Sequence, residues 1–356
     1  MVLNHSFWRG KRVFLTGHTG FKGGWLALWL SEMGAEVHGY ALAPSTDPSF
    51  WAVTGVIDRL AVSTIADIRD ANALGSALHA AAPEIVFHLA AQPLVRYSYA
   101  APVETYAVNV MGTLNLFEAI RYTDSVKAVV NVTTDKCYEN REHNKPYAEA
   151  EALGGHDPYS SSKACSELVT SAYRRSFFDG QGVALASARA GNVIGGGDWS
   201  ADRLIPDFLR AIDSREILVI RYPRAIRPWQ HVMEPLSGYL QLAERLYSDG
   251  TAFAEAWNFG PEEADSRPVE WLVDSLCARV PGASWKREEA PQLHEAGTLK
   301  LDSGKAKQRL KWHPRWALDQ ALAQTFDWHL AWRDGADMCE FSLQQIAAYE
   351  SAMEGA

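Results

Sequence analysis

Short apolar runs alternate with helical patterns along the first half of the chain. Runs of apolar and β-branched residues predict strands at 11–17, 35–41, 61–66, 83–90, 127–133 and 183–189. Between them, apolar positions at helical spacing predict helices that include 23–33, 70–81, 102–122 and 158–179. Gly34 stands where a glycine would end the first of these helices. Because strand and helix alternate, we expect an α/β fold with a doubly wound parallel sheet covered by helices on both faces.

The pattern changes after Asn192. Residues 195–198 and 221–230 are rich in glycine, proline and arginine and predict loops, and the last third of the chain is mainly helical. Ser266 and Pro268 predict the start of a helix. We therefore expect a Rossmann-type domain from 1–189 and 229–261, and a smaller mixed α/β substrate lobe from 190–228 and 262–356.

Composition argues against several classes of function. The formal charge of −9 argues against general binding to nucleic acid. The sequence has neither an apolar leader nor an apolar run long enough to cross a membrane, so we expect a cytoplasmic protein. The four cysteines are far apart, which favours reduced thiols over disulfides or a metal centre. The histidines form no H-E-x-x-H motif, and we therefore predict no metal.

Three glycines at three-residue spacing follow the first predicted strand. The run Arg12–Thr16 leads into them, and an apolar helical segment comes directly after them. Such a turn lets the backbone approach a pyrophosphate, and the helix N-terminus presents N–H groups to it. Glycines also mark ordinary tight turns, but the strand before and the helix after favour dinucleotide binding. The residues of this candidate site are Gly17, His18, Thr19, Gly20, Phe21, Lys22 and Gly23.

Tyr159 and Lys163 are four residues apart on a predicted helix. This spacing places the phenol and the ammonium on one helical face. A nearby ammonium lowers the pKa of a tyrosine and makes it a usable base near neutral pH. A chance pair on a solvated helix is the alternative. The pair follows the predicted strand 127–133, however, and the carboxyl ends of strands are where a doubly wound sheet binds its ligand.

With these motifs, the chain resembles the extended short-chain dehydrogenase/reductase family over nearly its whole length. In that family the tyrosine of Y-x-x-x-K is the catalytic base, and the lysine also holds the nicotinamide ribose. The resemblance implies these roles for Tyr159 and Lys163, and it matches Thr134 with the hydroxyl residue that completes the catalytic set. The resemblance further implies cofactor contacts from Asp67, Ile68, Leu89, Ala90, Ala91, Gln92, Asn109 and Thr133.

The two residues that directly follow Thr134 narrow the resemblance to one branch of the family. Most sugar epimerases of the family have small or apolar residues there, whereas this chain has Asp135 and Lys136. Nucleotide-sugar 4,6-dehydratases carry Asp-Glu, an acid and a base that remove water across C5 and C6. Together with the motifs at 17–26, 153–160 and 189–199, the Asp-Lys pair resembles the branch formed by the CDP-D-glucose 4,6-dehydratases. Without those motifs, a loop ion pair would be the simpler interpretation.

This resemblance implies an NAD-dependent lyase that acts on CDP-glucose, in the formation of deoxysugars for lipopolysaccharide O-antigens. Tyr159 would take the proton of the C4 hydroxyl, Asp135 would protonate the leaving C6 hydroxyl, and Lys136 stands where related enzymes place the C5 base. Lys136 can act as a base only when neutral, and as an ammonium it would instead stabilise the enolate. The segment Tyr40–Ser45 after the second predicted strand has neither an acid nor an arginine, and we prefer NAD to NADP.

The segment Arg221–Val232 is the densest basic stretch outside the predicted helices. Arginine forks suit the two phosphates of a nucleoside diphosphate sugar, and the segment resembles the family's pyrophosphate-binding stretch. A solvated basic turn is the alternative. The candidate substrate-binding residues are Asn192, Trp199, Arg203, Arg221, Arg227 and His231.

Two other functions stay open at this level. A nucleotide-sugar 4-epimerase is disfavoured by Asp135 and Lys136, since epimerisation needs no second acid and base. A redox-sensing dinucleotide-binding module is disfavoured because the Tyr-Lys pair is intact. An apolar stripe along 102–122 predicts, together with 158–179, a four-helix interface in a homodimer or higher oligomer.

Overall fold

Seven parallel strands form the central sheet of the protein, for which a computed structural model describes residues 3–290 and 293–354. The strands are β1 (Arg12–Thr16), β2 (Glu36–Ala41), β3 (Val62–Ile65), β4 (Ile85–His88), β5 (Ala128–Val132), β6 (Ala184–Ala190), β7 (Asn192–Ile194), β8 (Leu218–Ile220), β9 (Ile226–His231), β10 (Ala256–Phe259), β11 (Ser266–Pro268) and β12 (Trp285–Arg287). The α-helices are α1 (His5–Trp8), α2 (Phe21–Glu32), α3 (Phe50–Thr54), α4 (Ala71–Ala81), α5 (Val95–Ala100), α6 (Pro102–Tyr106), α7 (Thr113–Arg121), α8 (Pro158–Tyr173), α9 (Asp179–Gln181), α10 (Leu204–Ser214), α11 (Met233–Asp249), α12 (Val269–Cys277), α13 (Leu318–Arg333) and α14 (Met338–Glu354). The predicted domain ranges also include 1–2, 291–292 and 355–356, which lie outside the described residues.

The strand order in the central sheet is β10-β6-β5-β4-β1-β2-β3, and every neighbouring pair is parallel. The six strands predicted from the apolar runs are confirmed, and β10 is a seventh that the prediction did not include. The chain order reverses between β1 and β4. In such a sheet the ligand crevice lies at this point, beyond the carboxyl ends of the strands.

The predicted helices of the first half are confirmed, and two of them contain π-helical turns. The stretch predicted at 102–122 consists of α6, a π-helical turn over Ala107–Gly112, and α7. In the stretch predicted at 158–179, α8 is followed by a π-helical turn over Arg174–Phe178. Gly34, with a φ of +82°, adopts the left-handed conformation of a glycine that ends a helix.

Two small sheets lie outside the central one. Strands β7, β9 and β11 form a three-stranded sheet, and β8 pairs with β12. The loop predicted at 221–230 is therefore wrong in its second half, because pairing with β7 and β11 holds Ile226–His231 extended despite its proline. Helix α12 begins directly after Pro268, as predicted, although Ser266 lies in β11. The division of the chain into two domains stays a prediction.

Apolar cores lie on both faces of the central sheet. One contains Trp25 and other residues of α2 and α11, and the other contains Phe117 and residues of α4 and α7. Helix α14 packs on α2, where the indole of Trp29 donates to the carboxylate of Glu350 at 2.8 Å and lies edge-on to Tyr349 at 5.8 Å. In residues 3–290 and 293–354, no helix combines the length and the apolar character needed to span a membrane. The cytoplasmic location stays a prediction.

Candidate active site

The glycine turn between β1 and α2 forms a tight cradle. Gly17 has a φ of +80°, and a Cβ there would lie 2.7 Å from the backbone nitrogen of Ala90. A Cβ on Gly23 would collide with the carbonyl of Gly17, so the first turn of α2 packs directly on the glycine turn. The first N–H groups of a helix have no acceptor within it, and the start of α2 therefore offers donors to an anion. This geometry fits the pyrophosphate of a dinucleotide.

Lys22 adds a positive charge to the first turn of α2. Burial and the nearby charges of Arg203 and Lys163 lower the pKa of its ammonium to about 8, while Asp135 and Asp198 oppose the shift. A bound phosphate would favour the charged form of Lys22. The same neighbours show that the cofactor turn and the catalytic loop meet in one place.

His18 and Thr19 fix the glycine turn to the edge of the sheet. The His18 ring pairs through Nε2 with the hydroxyl of Ser63 at 2.7 Å, and Gly39 leaves room for it. Burial lowers the pKa of His18 to about 4, so the ring is neutral at pH 7. Thr19 donates to the carbonyl of Leu42 at 2.8 Å. The two side chains therefore hold the turn in position without adding a charge to it.

The loop Leu89–Gln92 follows β4 and faces the glycine turn. The hydroxyl of Thr16 accepts the N–H groups of the first two loop residues, each at 3.1 Å. Asn109 accepts the N–H of Gln92 at 2.8 Å and donates to its carbonyl at 3.0 Å. Asn109 also donates to the hydroxyl of Ser162 at 2.9 Å. The π-helical turn that carries Asn109 thus ties the predicted cofactor loop to α8.

Asp67 and Ile68 follow β3, on the other side of β1 from β5. The guanidinium of Arg69 bonds to the carboxylate of Asp67 at 2.6 Å and holds the pKa of that carboxyl below its usual range. Ile68 is buried, and Gly112 leaves room for its side chain. These residues are therefore separated from the predicted catalytic residues by the width of the crevice, as an adenine site would be.

Tyr159, Thr134 and Asp135 meet where β5 ends and α8 begins. Thr134 caps the short 3-10 turn Asp135–Cys137, and its hydroxyl donates to Oδ1 of Asp135 at 3.1 Å. Burial raises the pKa of the Tyr159 phenol to about 12, and the nearby hydroxyl of Thr134 and guanidinium of Arg203 limit the rise. Burial also raises the pKa of Asp135, and its Oδ2 has no hydrogen-bond partner among the described residues.

Lys163 lies one helical turn after Tyr159 on α8. Its ammonium donates to the carbonyl of Val132 at 3.2 Å. Burial lowers the pKa of Lys163 to about 8, and the carboxylate of Glu167 opposes this shift. We expected Lys163 to lower the pKa of Tyr159, but the groups that lower it are Thr134 and the guanidinium of Arg203. The ammonium is bonded to the end of β5 instead.

Lys136 lies in the wall of a cleft of about 350 Å³, which Tyr138, Ser160 and Glu295 also line. Burial and the charge of Arg227 lower the pKa of the Lys136 ammonium, whereas Asp135 and Glu295 favour its charged form. A lysine needs a lowered pKa to act as a base. The direction of the shift therefore agrees with the role that the resemblance implies.

Arg227 lies beside the catalytic loop. Its guanidinium is buried and donates to the carbonyls of Ile226 at 2.9 Å and Gly297 at 3.3 Å. Its positive charge lowers the pKa of both Asp135 and Lys136. The structure therefore brings this predicted substrate residue to the predicted acid and base.

Arg203 and Arg221 are held by carboxylates. Arg203 pairs with Asp198 at 2.8 Å. Its positive charge also lowers the pKa of Tyr159, so Arg203 belongs to the site. Arg221 pairs with Asp202 at 2.7 Å. A diphosphate would have to compete with the acidic partners of both arginines.

Asn192 and Trp199 come from the segment after β6. Asn192 is half-buried in β7, in register with β9. The indole of Trp199 lies edge-on to Trp328 at 5.7 Å and to Trp332 at 5.1 Å. The ring of Trp199 therefore packs on α13 and does not line the cleft.

His231 is fully buried in the apolar core. Its ring lies 4.8 Å from the ring of Trp316 and 6.5 Å from that of Trp25, and Nδ1 accepts the N–H of Met233 at 3.3 Å. Burial lowers the pKa of His231 to about 3. The structure thus does not bring His231 to the cleft, because the aromatic packing of β9 encloses it, and its role in substrate binding stays a prediction that this geometry does not support.

A buried ion pair under the catalytic loop is absent from the residues predicted from sequence. The carboxylate of Glu167 accepts hydrogen bonds from Arg189 at 2.7 Å, from Thr133 at 2.5 Å and from Ser187 at 2.7 Å. Glu167 follows Lys163 by four residues on α8, so its position on the same helical face was a usable signal. The network fixes Thr133, directly before the catalytic threonine.

Comparisons with known proteins agree with this geometry. A profile of the family described as GDP-mannose 4,6 dehydratase matches residues 14–325. The chain is 53% identical over 357 aligned positions to the CDP-glucose 4,6-dehydratase of Salmonella typhimurium, with 99% of each chain covered. It is 25% identical to a dTDP-glucose 4,6-dehydratase of Xanthomonas campestris, over 94% of this chain and 98% of that relative. A solved dTDP-glucose 4,6-dehydratase of Streptomyces venezuelae with NAD bound matches with a TM-score of 0.75 and 26% identity, over 92% of this chain and 99% of that chain. The chain therefore belongs to the GDP-mannose 4,6 dehydratase family, NAD-dependent epimerases and dehydratases of the extended short-chain dehydrogenase/reductase type.

Proposed function

We propose that this protein is an NAD-dependent CDP-glucose 4,6-dehydratase, which converts CDP-D-glucose to CDP-4-dehydro-6-deoxy-D-glucose and water. The observation that carries the proposal is the meeting of Asp135 and Lys136 with Tyr159 at the end of β5. Inversion of C4 needs only a base at the C4 hydroxyl, whereas loss of water needs an acid and a base in addition. The similarity to the Salmonella typhimurium enzyme supports CDP-glucose as the substrate.

We infer that NAD is held across the carboxyl ends of β1 and β4. The glycine turn Gly17–Gly23 would hold the pyrophosphate, Asp67 and Ile68 would contact the adenine, and Lys163 would hold the nicotinamide ribose. NAD bound there would supply the hydride chemistry of the reaction, as an acceptor for C4 of the sugar and a donor for C6. The close approach of Gly17 to Ala90 supports this assignment, because any side chain at Gly17 would fill the cradle.

Tyr159 takes the proton of the C4 hydroxyl. The hydroxyl of Thr134 and the guanidinium of Arg203 stabilise its phenolate, but burial still leaves its pKa at about 12. The phenol is therefore protonated at pH 7 in this structure, and the base needs further stabilisation of its phenolate when the substrate is bound.

Asp135 and Lys136 remove water from the resulting ketone. The raised pKa of Asp135 suits a carboxylic acid that gives its proton to the C6 hydroxyl as water leaves. The lowered pKa of Lys136 suits an amine that takes the proton from C5, which the C4 carbonyl has acidified. As an ammonium, Lys136 would stabilise the enolate at the same place.

Arg227 is the arginine that we propose for the substrate diphosphate. It donates to two backbone carbonyls, whereas Arg203 and Arg221 are paired with Asp198 and Asp202. Its charge is therefore less neutralised than theirs, although it is buried next to the acid and base. A planar guanidinium fork suits a phosphate at such a position.

We also propose that the protein forms a homodimer through α6, α7 and α8. Apolar side chains of this helical layer are exposed, among them Val103, Met111, Leu168 and Phe177. A second copy that presents the same layer would cover them.

The test of the proposed activity is incubation of the purified protein with CDP-glucose, followed by the absorbance that a 4-keto sugar develops in alkali. We expect this product with CDP-glucose, and at a lower rate or not at all with dTDP-glucose or GDP-mannose. A C4 epimer without a 4-keto product would identify an epimerase and reject the proposal. The Tyr159→Phe variant is the negative control, because any alkali-induced absorbance that it gives does not come from catalysis by Tyr159.

A further inference from the structure

Four side chains of alternating charge form a row that links α5 to the segment after β12. The guanidinium of Arg96 lies 2.9 Å from Oδ1 of Asp202, and the guanidinium of Arg221 lies 2.7 Å from the same oxygen. Arg221 also lies 3.7 Å from a carboxylate oxygen of Glu295. The side chains of Arg96 and Asp202 are 44% and 38% exposed, so an anion from solution has access to this row.

Both ends of the row belong to the wall of the cleft described above. Val95, directly before Arg96, lines that cleft, and so does Glu295 at the other end of the row. Arg227, which we propose for the substrate diphosphate, donates to the carbonyl of Gly297, two residues after Glu295. The row therefore lies beside the proposed substrate site, and the inference that follows rests on the proposed function.

Two guanidinium groups converge on a single oxygen atom of Asp202. Arg221 donates a further bond to the backbone carbonyl of Asp202 at 3.3 Å. Burial would raise the pKa of Asp202, but the bonds from Arg221 and Arg96 outweigh it and hold the pKa below its usual range, so the carboxylate is ionised at pH 7. A phosphate accepts paired bonds from an arginine fork, so two arginines suit a phosphate better than one carboxylate oxygen.

We propose that the carboxylate of Asp202 is an internal competitor of the substrate, and that Arg96 and Arg221 transfer their hydrogen bonds from this carboxylate to the diphosphate. Exposed ion pairs add little to stability, because water and salt screen them, so releasing Asp202 costs little. The diphosphate gains charge-assisted bonds from two forks in return, in addition to those from Arg227. Asp202 thus competes with every anion, and only an anion that bonds strongly to both arginines displaces it.

The affinity for CDP, measured by titration calorimetry on the purified protein, tests the competition. We expect Arg96→Gln to weaken CDP binding about tenfold, because a hydrogen-bonded charge is lost. Asp202→Asn should instead tighten CDP binding about threefold, because the competing charge is removed. Asp202 has a φ of +61°, a left-handed conformation that asparagine also adopts, so this variant keeps the backbone. Opposite effects of the two variants distinguish competition from a structural role of the ion pairs.

The matched control is Glu32→Gln, which removes the same charge from an exposed pair with Arg59. It should leave the affinity for CDP unchanged, which would exclude a general effect of net charge. Cytidine, which has no phosphate, should bind to Arg96→Gln and Asp202→Asn as it binds to the wild type. If Arg96→Gln does not fold, Arg96→Lys keeps the charge, removes the fork and should also weaken CDP binding.

Three results would overturn the competition. Weaker CDP binding in Asp202→Asn would mean that its ion pairs hold the loops in place. Unchanged CDP binding in both Asp202→Asn and Arg96→Gln would mean that the diphosphate binds elsewhere. Equal shifts with cytidine and CDP would mean that the variants act on another part of the nucleotide. Absence of a 4-keto product from the wild type would instead reject the proposed function.

Discussion

The carboxylate of Glu167 and the guanidinium of Arg189 form an ion pair of 2.7 Å that is almost completely buried beneath the catalytic loop. Arg189 also donates to the hydroxyl of Tyr138 at 2.9 Å, and Glu167 accepts from Thr133 at 2.5 Å. The pair thus lies between α8, β6 and the residues on either side of the acid and base. Its integrity should decide both the stability of the fold and the position of the site.

Glu167→Gln should reduce the free energy of unfolding by about 3–5 kcal/mol, because it leaves the buried charge of Arg189 without its partner. Denaturant unfolding followed by circular dichroism measures the loss. Asp249→Asn breaks the exposed pair between Asp249 and Arg245, and should cost no more than about 0.5 kcal/mol. Equal effects of the two variants would show that burial does not strengthen the Glu167–Arg189 pair.

Tyr159→Phe should lower turnover by about 10²–10⁴-fold, because only the oxygen that accepts the C4 proton is removed. Its circular dichroism and unfolding midpoint should match the wild type within error. The control is Tyr173→Phe on the same helix, whose hydroxyl bonds to Glu118 away from the site. A folded Tyr159→Phe variant with wild-type turnover would mean that another group is the base.

Lys136→Ala and Asp135→Asn should separate oxidation from loss of water. Both variants keep Tyr159 and Thr134, so oxidation at C4 should proceed and the later steps should stall. In a single turnover with CDP-glucose, the near-ultraviolet absorbance of the reduced cofactor should build up and persist. Exchange of the C5 hydrogen with solvent should also be slower in Lys136→Ala than in the wild type.

If both variants instead lose oxidation as completely as Tyr159→Phe, the assignment of Asp135 and Lys136 to the elimination is wrong. The two residues would then position the sugar or the tyrosine. Normal C5 exchange in Lys136→Ala, with elimination still impaired, would indicate that Lys136 stabilises the enolate as an ammonium.

Glu234 should make the free energy of unfolding fall as pH rises from about 4.5 to about 7. Burial raises the pKa of this carboxyl from 4.5 to about 7, while hydrogen bonds from Tyr349, Trp316 and Arg315 limit the rise. Between these two values the folded state holds more protons than the unfolded state, so the stabilisation is complete below about pH 4.5 and is lost as pH rises toward 7. Relative to the Glu234→Gln variant, the free energy of unfolding of the wild type should fall by up to about 3 kcal/mol across that pH range. A constant difference between the two proteins would contradict the raised pKa.

The helical layer of α6, α7 and α8 should be the dimer interface. Val103 is 82% exposed and Leu168 is 58% exposed. Val103→Glu with Leu168→Glu should convert a dimer to a monomer in sedimentation at micromolar concentration. Ile65→Glu is the matched control, because Ile65 is 51% exposed on the edge strand β3. A wild type that sediments only as a monomer would reject the proposed interface.

The sequence was sufficient for the sheet and its ligand crevice, because strand and glycine signals are local. The helix predicted at 102–122 shows where local signals stop. Its apolar stripe predicts a single interface between subunits. In the structure, however, Phe117 is buried in the protein's own core, whereas Val103 is exposed. The π-helical turn over Ala107–Gly112 lies between them, and periodicity alone does not reveal it.

In the candidate site, the residues adjacent in sequence to the strand ends were the easiest to predict. Thr134, Asp135 and Tyr159 meet because parallel strands end at one edge of a sheet. Trp199 and His231 lie in motifs that resemble those of the family, but which way each side chain points depends on packing against residues far away in the sequence. Glu167 was missed because its partner Arg189 comes from another element.

Trp29 and Glu350 are separated by 321 positions, yet their contact covers the helix that follows the glycine turn. A ribosome therefore completes α2 long before it makes the surface that shields it. Until α14 emerges, a nascent chain that already contains β1 to β6 presents the outer face of α2, with its tryptophan, to the surrounding solution. Once β10 has also been made, the nucleotide-binding half has all of its strands but not its outer cover, and a chain cut before Met338 would keep that aromatic face open to self-association.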